Sequence, residues 1–241
     1  MPSPRPTFAE RLRRANEEAL AGLVAACAEP FPDAVFAHAA AAKRVPATPS
    51  RAIALYWRDH PLLADGIARR LAADSGAPAG WTWRIDRARQ GFLPHSPRVP
   101  PTPYREPEHL PEAGRCQICG GPVYRLGWHE DSWGDGRLSP RGRWHGACVA
   151  AWGLWNAPAA HLMALKRAQA HRCAVTGRRL RRDAEVDHRV PLYQVWRDRR
   201  DRPWPELLGF WGAPNLQVIA AEAHRDKCAR EAEERARRRA A

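Results

Sequence analysis

The chain has 241 residues, of which 44% are hydrophobic and 27% are charged, which is the composition of a globular protein. This length suffices for one large or two small domains, so a core can be buried without disulfide bonds. No apolar run approaches the roughly 18 residues that cross a bilayer, which excludes a membrane-spanning protein. The first residues lack the apolar stretch and cleavage site of a secretory leader, so we expect a cytoplasmic protein without a membrane partner.

Positive charge is the most unusual property of the composition. Lys and Arg total 39 against 26 acidic residues, which gives a formal net charge of +13. The only lysines are Lys43, Lys166 and Lys227, so arginine carries almost all of this charge. Guanidinium groups match the geometry of phosphate, and the excess therefore favours a nucleic-acid partner. A GC-rich genome would explain the preference for arginine over lysine, but not the surplus of positive charge.

Helical patterns dominate the first part of the chain. Thr7 and Glu10 have the spacing of a capping box, and apolar residues at helical intervals predict a first helix that ends near Ala28. Thr48, followed by a proline, predicts the start of a second helix. Further apolar residues predict helical segments on both sides of His60.

A proline-rich stretch divides the chain. Residues 94–111 contain seven prolines, too many for a helix or a central strand, and are predicted to form a semi-rigid linker. Before it lies a predicted helical unit, residues 1–93, which has no cluster of His, Cys and acidic residues at ligand spacing. We expect that unit to pack or to dock a protein partner. After the linker we expect a zinc-finger region at 112–156 and a second module at 157–241, which ends in a basic helix.

Four residues of the zinc-finger region have the spacing of metal ligands. Cys116 and Cys119 stand on a glycine-rich turn, and His145 and Cys148 are one helical turn apart. In a chain without an export leader, such cysteines are better interpreted as metal ligands than as a disulfide framework. Two matched pairs predict a tetrahedral Cys3His site for a structural zinc ion, with His129 as an alternative ligand.

The residues between the two pairs predict how the finger is built. Residues 122–126 are predicted to form a short strand and residues 131–143 a glycine-rich turn, before a helix that carries the second pair. A knuckle, a hairpin and a helix in that order are similar to a treble-clef finger.

Three motifs in the last module occur together. Residues 171–188 are predicted to form a strand, a glycine turn and a second strand, and a helix is predicted at the end of the chain. The motifs are Val186-Asp187-His188 before a Pro-Leu step, Asn215-Leu216-Gln217, and His224 with Lys227. Over residues 172–227 this arrangement resembles the HNH, or His-Me finger (ββα-metal), endonucleases.

The resemblance implies a role for each of these side chains. His188 is the general base that activates water, since an imidazole titrates near neutral pH. Asp187 and His224 hold one divalent ion, which is Mg, Mn or a transition metal. Asn215 fastens the loop and helps to orient the base, although a helix N-cap is an alternative role for it. Because side chains alternate along a strand, we expect the chain to bend at Asp187 and His188.

One expected feature of the family is missing from the sequence. Many members have a second zinc site made of two cysteine pairs around the active hairpin. Here Cys173 is followed by Thr176, and Ala220 and Ala223 occupy the positions of the later pair. We therefore expect no zinc at that place.

Basic side chains around these motifs predict a phosphate-binding surface for DNA, whether duplex or single-stranded. Contacts with phosphate carry no sequence information, so we expect low sequence specificity and strong weakening by salt. The residues expected to contact phosphate are Arg178, Arg179, Arg181, Arg189, Arg225 and Lys227.

Together these patterns predict an α+β protein, with a helical N-terminal unit, a zinc finger and a ββα-metal nuclease module. The function expected from the resemblance is metal-dependent hydrolysis of phosphodiester bonds in DNA. Two alternatives need no catalysis: a zinc-dependent nucleic-acid-binding protein, and an adaptor that docks a partner through its helical unit.

Overall fold

A computed structural model describes residues 6–27, 31–75, 113–131, 138–199 and 202–240. Within these ranges the fold is α+β, with helices predominating over one two-stranded antiparallel sheet. The proline-rich segment 94–111 lies outside the described residues. The helices are α1 (Phe8–Ala26), α2 (Asp33–Ala40), α3 (Pro49–Asp59), α4 (Pro61–Asp74), α5 (Gly146–Asn156), α6 (Leu162–Ala168), α7 (Leu192–Arg199), α8 (Trp204–Trp211) and α9 (Ala221–Ala240). None of these helices is both long enough and apolar enough to cross a membrane.

Local capping explains where the first helices begin. The Thr7 side chain accepts a hydrogen bond from the Glu10 amide, and the Glu10 carboxylate accepts one from the Thr7 amide, which confirms the predicted capping box of α1. Thr48 caps α3, and Pro49 takes its first position, as predicted. Helix α2 was not predicted, because it is short and begins directly after a proline without a side-chain cap.

Helices α3 and α4 pack against α5, which carries one of the predicted metal ligands. Trp57 of α3 stacks on Trp128, with ring centroids 5.5 Å apart. It also lies over Gly146, where an added Cβ would come within 2.9 Å of the Trp57 Cδ1 atom. The core of the first helices therefore continues into the residues around the second ligand pair.

Asp65 connects α4 to two other parts of the chain. Its side chain is fully buried, and its Oδ1 atom accepts a hydrogen bond from the Trp155 Nε1 atom at 2.7 Å. Its Oδ2 atom accepts hydrogen bonds from the Arg69 Nε atom at 3.1 Å and from the Ala213 amide at 3.2 Å. A Cβ at Gly212 would overlap the Asp65 Oδ1 atom, so this carboxylate fits only against a glycine. The carboxylate thus holds the turn that leads to Asn215.

The strands predicted at residues 122–126 and at residues 171–180 do not form. Residues 122–126 form no strand, because Leu126 and Gly127 adopt positive φ values of 56° and 76° in a 3-10 turn. Pro122 instead makes a single bridge to Arg115. Residues 171–180 likewise contain one isolated bridge instead of two strands, since they form a tight turn closed by Gly177 at φ 69°.

The sheet pairs β1 (Glu185–His188) with β2 (Leu216–Ile219). Asp187 lies opposite Gln217, and the ladder continues without a bulge to the end of β1. The expected bend at Asp187 and His188 is therefore wrong, since the chain turns only after His188. Helices α7 and α8 occupy the connection between the strands, where only a long loop was expected. Helix α9 follows β2 almost directly, which confirms the predicted basic C-terminal helix.

Candidate metal centre and candidate active site

The four predicted zinc ligands come together in a buried group. Cys116, Cys119, His145 and Cys148 present ligand atoms that all lie within 4.8 Å of one another. The His145 Nδ1 atom is 3.3 Å from the Cys119 Sγ atom and 3.6 Å from the Cys148 Sγ atom. Among the described residues, no other set of three or more His, Cys and acidic residues meets in this way. The group could hold a metal ion such as zinc.

The surrounding backbone orients these ligands. The His145 Nε2 atom lies 2.7 Å from the Pro122 carbonyl oxygen. A hydrogen bond there requires a proton on Nε2, so Nδ1 is the nitrogen that faces the centre of the group and that would bind a metal ion there. The amides of Ile118 and Gly121 donate hydrogen bonds to the sulfurs of Cys116 and Cys119, each at 3.4 Å.

The electrostatics of the group favour a positive charge at its centre. Burial alone would lower the pKa of His145, but the thiols of Cys116 and Cys119 outweigh burial and raise that pKa to about 10. Burial would raise the pKa of the Cys116 thiol, but hydrogen bonds from Cys119, Cys148 and His145 bring it well below its usual value. A bound divalent ion supplies the positive charge that this environment stabilises.

His129, the alternative ligand, lies outside the group. Its ring centroid is 6.3 Å from that of His145, and it packs against Trp128 and Trp57. Burial lowers the pKa of His129 to about 4, and His145 and Arg70 add to the shift. The ring is therefore an uncharged packing element near neutral pH.

The second candidate site lies where β1, β2 and α9 meet. The Asp187 Oδ1 atom is 3.9 Å from the His224 Nε2 atom, so the two predicted ligands of the catalytic ion are neighbours. The other carboxylate oxygen, Oδ2, accepts a hydrogen bond from the Gln217 Nε2 atom at 2.8 Å. Gln217 stands opposite Asp187 in the ladder, so the sheet itself places this donor.

Lys227 also binds the Asp187 carboxylate. Its Nζ atom donates to both carboxylate oxygens of Asp187, at 2.9 Å to Oδ1 and 2.8 Å to Oδ2. It also lies 2.7 Å from the His188 carbonyl oxygen and 2.9 Å from the Glu231 carboxylate. Burial would lower the pKa of Lys227, but the hydrogen bonds to Asp187 and Glu231 raise it above its usual value. A phosphate that contacts this ammonium group must replace one of its three acceptor groups.

His188, the predicted general base, ends β1 and is half-buried, and because the strand stays regular its side chain lies on the face opposite to Asp187. Its Nε2 atom has no hydrogen-bond partner among the described residues. Burial lowers the pKa of His188 to about 4, with Lys227 adding to the shift and Asp187 opposing it. The imidazole is therefore unprotonated near neutral pH, which is the state a general base requires.

Asn215 fastens the chain that leaves β1. Its Oδ1 atom accepts a hydrogen bond from the Val190 amide at 2.8 Å. Its Nδ2 atom donates to the carbonyl oxygens of Val190 at 2.9 Å and Phe210 at 2.8 Å. A strand follows Asn215, so the alternative role of a helix N-cap is wrong.

Glu185 is a residue of this site that the sequence analysis missed. Its Oε2 atom lies 2.5 Å from the His224 Nδ1 atom. The strand period of two residues, which puts Glu185 on the same face as Asp187, was the pattern that could have identified it.

The expected phosphate-binding arginines are exposed around this site. Within the described part of the chain, none of the five has an acidic partner within ion-pair distance: Arg178, Arg179, Arg181, Arg189 and Arg225. The Arg189 guanidinium donates a long hydrogen bond, 3.4 Å, to the Gln217 Oε1 atom. By contrast, Arg237 and Arg238 pair with Glu233 and Glu234 of the same helix.

Comparison with known proteins adds no relative: no protein-family model, no curated protein and no solved structure matches this chain. The similarity to HNH endonucleases therefore rests on the motif residues of the sequence alone.

Proposed function

We propose that this protein is a cytoplasmic, metal-dependent endonuclease of the HNH type that hydrolyses phosphodiester bonds in DNA. One observation carries the proposal: the strand-strand-helix unit brings the Asp187 Oδ1 atom within 3.9 Å of the His224 Nε2 atom, and the next residue of β1, His188, has an unprotonated imidazole. A protein that only binds DNA does not require a water-activating base next to a pair of metal ligands.

The residues present fit a single divalent cation. Two ligands that each lie about 2.1 Å from one ion can be up to about 4.2 Å apart. The separation of 3.9 Å between the Asp187 Oδ1 atom and the His224 Nε2 atom falls within this limit, and a cation bound there would displace the Lys227 ammonium, which donates to the same Oδ1 atom at 2.9 Å. A carboxylate with an imidazole suits Mg, Mn or a later transition metal. Such an ion, when bound, stabilises negative charge on the phosphate and on the departing oxygen.

The chain's own residues supply the remaining functions. His188 accepts a proton from the attacking water, because its imidazole is unprotonated near neutral pH. Asn215 holds the backbone just after this base through its three hydrogen bonds. Arg178, Arg179 and Arg225 bind phosphates of the DNA, since their charges are not neutralised by acids of the described residues.

A plasmid assay with a matched variant tests the proposal. Supercoiled DNA is incubated with the full-length protein and Mg, Mn, Co or Zn ions, and with a chelator. We expect the wild type to cut with at least one ion, and His188→Ala to cut about 100-fold or more slowly, since a general base contributes that much. His38→Ala, which removes an imidazole of α2 that lies 3.1 Å from Asp59 of α3, is expected to cut like the wild type. A folded His188→Ala protein that keeps its metals and cuts at the parental rate refutes the proposal.

The Lys227 ammonium on the Asp187 carboxylate favours the alternative, a zinc-dependent protein that binds DNA or a protein partner without catalysis. In that case wild type and His188→Ala both shift DNA on a gel, and neither cuts it with any of the ions.

For the buried Cys3His group we propose a structural zinc ion. All four protein ligands are present and enclosed, which leaves no open position for a substrate or water.

A further inference from the structure

Glu185 lies outside the motif that the sequence analysis recognised, but it shares a face of β1 with Asp187. The two residues are separated by one position, and side chains on a strand alternate between its faces. Their ladder partners are Ile219 and Gln217, again two positions apart. Helix α9 contacts this strand, with His224 in its first turn.

The contacts of His224 distinguish its two ring nitrogens. The Nδ1 atom lies 2.5 Å from the Glu185 Oε2 atom. The Nε2 atom lies 3.5 Å from the Cys228 Sγ atom, whose thiol can donate to it, and 3.9 Å from the Asp187 Oδ1 atom. A neutral imidazole has one protonated nitrogen and one free lone pair, and a carboxylate can only accept a hydrogen bond. The proton of His224 therefore belongs on Nδ1, which leaves the lone pair of Nε2 on the side of Asp187.

We propose that Glu185 is a positioning residue that fixes the tautomer and orientation of His224, so that the Nε2 atom is ready to bind the divalent cation beside Asp187. The inference rests on the proposed function, because it concerns the same cation. Each of the two proposed ligands then has its own supporting residue. Gln217 orients Asp187, and Glu185 orients His224. Outer partners of this kind contribute about 10- to 100-fold to the metal affinity of a site.

The first test measures cation binding without activity. Protein with its Cys3His group loaded with zinc is titrated with Mn2+, and the free Mn2+ is followed by electron paramagnetic resonance. We expect Glu185→Ala to weaken binding about 100-fold, and Glu185→Gln about 10-fold, because glutamine keeps an oxygen that can accept from Nδ1 but loses the charge. Glu222→Gln, which changes an exposed acid in the same turn as His224, is the matched control and is expected to bind like the wild type.

The second test observes the tautomer itself. In the full-length protein, with its Cys3His group loaded with zinc and no other divalent ion added, nitrogen-15 spectra of the imidazoles are recorded at mildly alkaline pH. His224, assigned through its loss in His224→Ala, is expected to be protonated on Nδ1 in the wild type. In Glu185→Ala a mixture of tautomers is expected, while Glu222→Gln retains the wild-type spectrum. If Glu185 only stabilised the fold, a folded Glu185→Ala protein would show the same His224 tautomer as the wild type.

The outcomes separate this inference from the proposed function. If the wild type binds Mn2+ and cuts DNA but the Glu185 variants bind Mn2+ equally well, or if His224 is protonated on Nε2, the role of Glu185 is overturned and the nuclease stands. If the wild type binds no Mn2+ and cuts no DNA with any ion, both proposals fall.

Discussion

The Asn215 side chain makes three hydrogen bonds, and all of them go to backbone groups. It is 5% exposed, and it joins Val190, just after β1, to Phe210 at the end of α8. Without this amide, two carbonyl groups and one amide group lose their partners. Removing a partner from a buried polar group costs more than the hydrogen bond itself contributes.

We therefore expect Asn215→Ala to lower the free energy of unfolding by about 2 to 3 kcal/mol and to reduce DNA cleavage. Urea denaturation followed by circular dichroism measures the first effect, and the plasmid assay measures the second. Asn16→Ala is the control, because Asn16 ties α1 to the backbone of Lys43 and Val45, away from the site. The control is expected to lose stability and to keep its cleavage rate. An unchanged urea midpoint for Asn215→Ala would contradict the role described for it.

At the scale of elements, the chain contains two tight turns with the same backbone pattern. In the first, the Cys116 amide donates to the Gly121 carbonyl oxygen at 2.8 Å, and the Gly120 amide to that of Cys116 at 2.8 Å. In the second, the Cys173 amide donates to the Arg178 carbonyl oxygen at 2.8 Å, and the Gly177 amide to that of Cys173 at 2.9 Å. The two turns therefore share one backbone hydrogen-bond pattern, and we call them the first knuckle (residues 116–121) and the second knuckle (residues 173–178).

The second turn has an apolar cluster where the first has ligands. Cys173 packs with Ile219 and Ala223, and its sulfur accepts a hydrogen bond from the Ala220 amide at 3.4 Å. Burial raises the pKa of the Cys173 thiol, but hydrogen bonds from Thr176 and Ala220 outweigh burial and lower it to about 7. These neighbours occupy the positions where the sequence analysis expected the missing ligands.

The shared geometry predicts that a second zinc site can be restored. The variant Thr176→Cys, Ala220→Cys and Ala223→Cys supplies three thiols around Cys173, and four cysteines at a knuckle form a zinc site. We expect zinc analysis of the purified protein to give one more ion per chain than the wild type. The same variant with Cys173→Ser should lose this gain.

The opposite change removes a cysteine from the first knuckle, whereas the preceding variant adds cysteines around the second. Cys116→Ser is expected to lose one zinc ion per chain and to melt at a lower temperature, because structural zinc couples ligation to folding. Unchanged zinc content in both the three-cysteine variant and Cys116→Ser would contradict the equivalence of the two turns.

Local interactions explain which elements could be predicted from the sequence. The starts of α1 and α3 were predictable because a capping side chain acts on the backbone three residues away. Helices α7 and α8 were not, because they are short and begin beside prolines, without a capping-box pattern. The strands expected near Pro122 and Arg172 were wrong, because glycines with positive φ close tight turns there.

The two sites differ in how far the sequence could predict them. The Cys3His group was predictable because each ligand pair is close in sequence and lies on a turn or a helix. The partners of Asp187 and His224 were not, because Glu185, Gln217 and Lys227 meet only through the register of β1 with β2 and the position of α9.

At the scale of the whole molecule, the net charge is +13, and the arginines that produce it differ in whether an acidic side chain pairs with them. Arginines of the last turns of α9 pair with glutamates one turn away, whereas Arg178 and Arg179 at the end of the second knuckle have no acidic partner among the described residues. Only unpaired guanidinium groups are ready to replace the counterions of DNA.

We expect DNA affinity to fall linearly with salt concentration on logarithmic axes. Arg178→Ala with Arg179→Ala should reduce the slope by about 2, because each phosphate contact contributes about 0.9. Fluorescence anisotropy with a labelled duplex over a range of salt concentrations measures this slope. Arg237→Ala with Arg238→Ala removes the same charge from paired positions and is expected to change the slope less. Equal salt slopes for the two double variants would contradict the distinction between unpaired arginines, which contact DNA, and paired arginines, which do not.

Two glycines each lie against a side chain from a distant part of the chain. A Cβ at Gly146 would lie within 2.9 Å of Trp57, and one at Gly212 would overlap Asp65. A larger residue at either glycine is tolerated only if its distant partner becomes smaller. In diverged relatives of this chain, we therefore expect the two members of each pair to be substituted together. Such paired substitutions would help to identify those relatives.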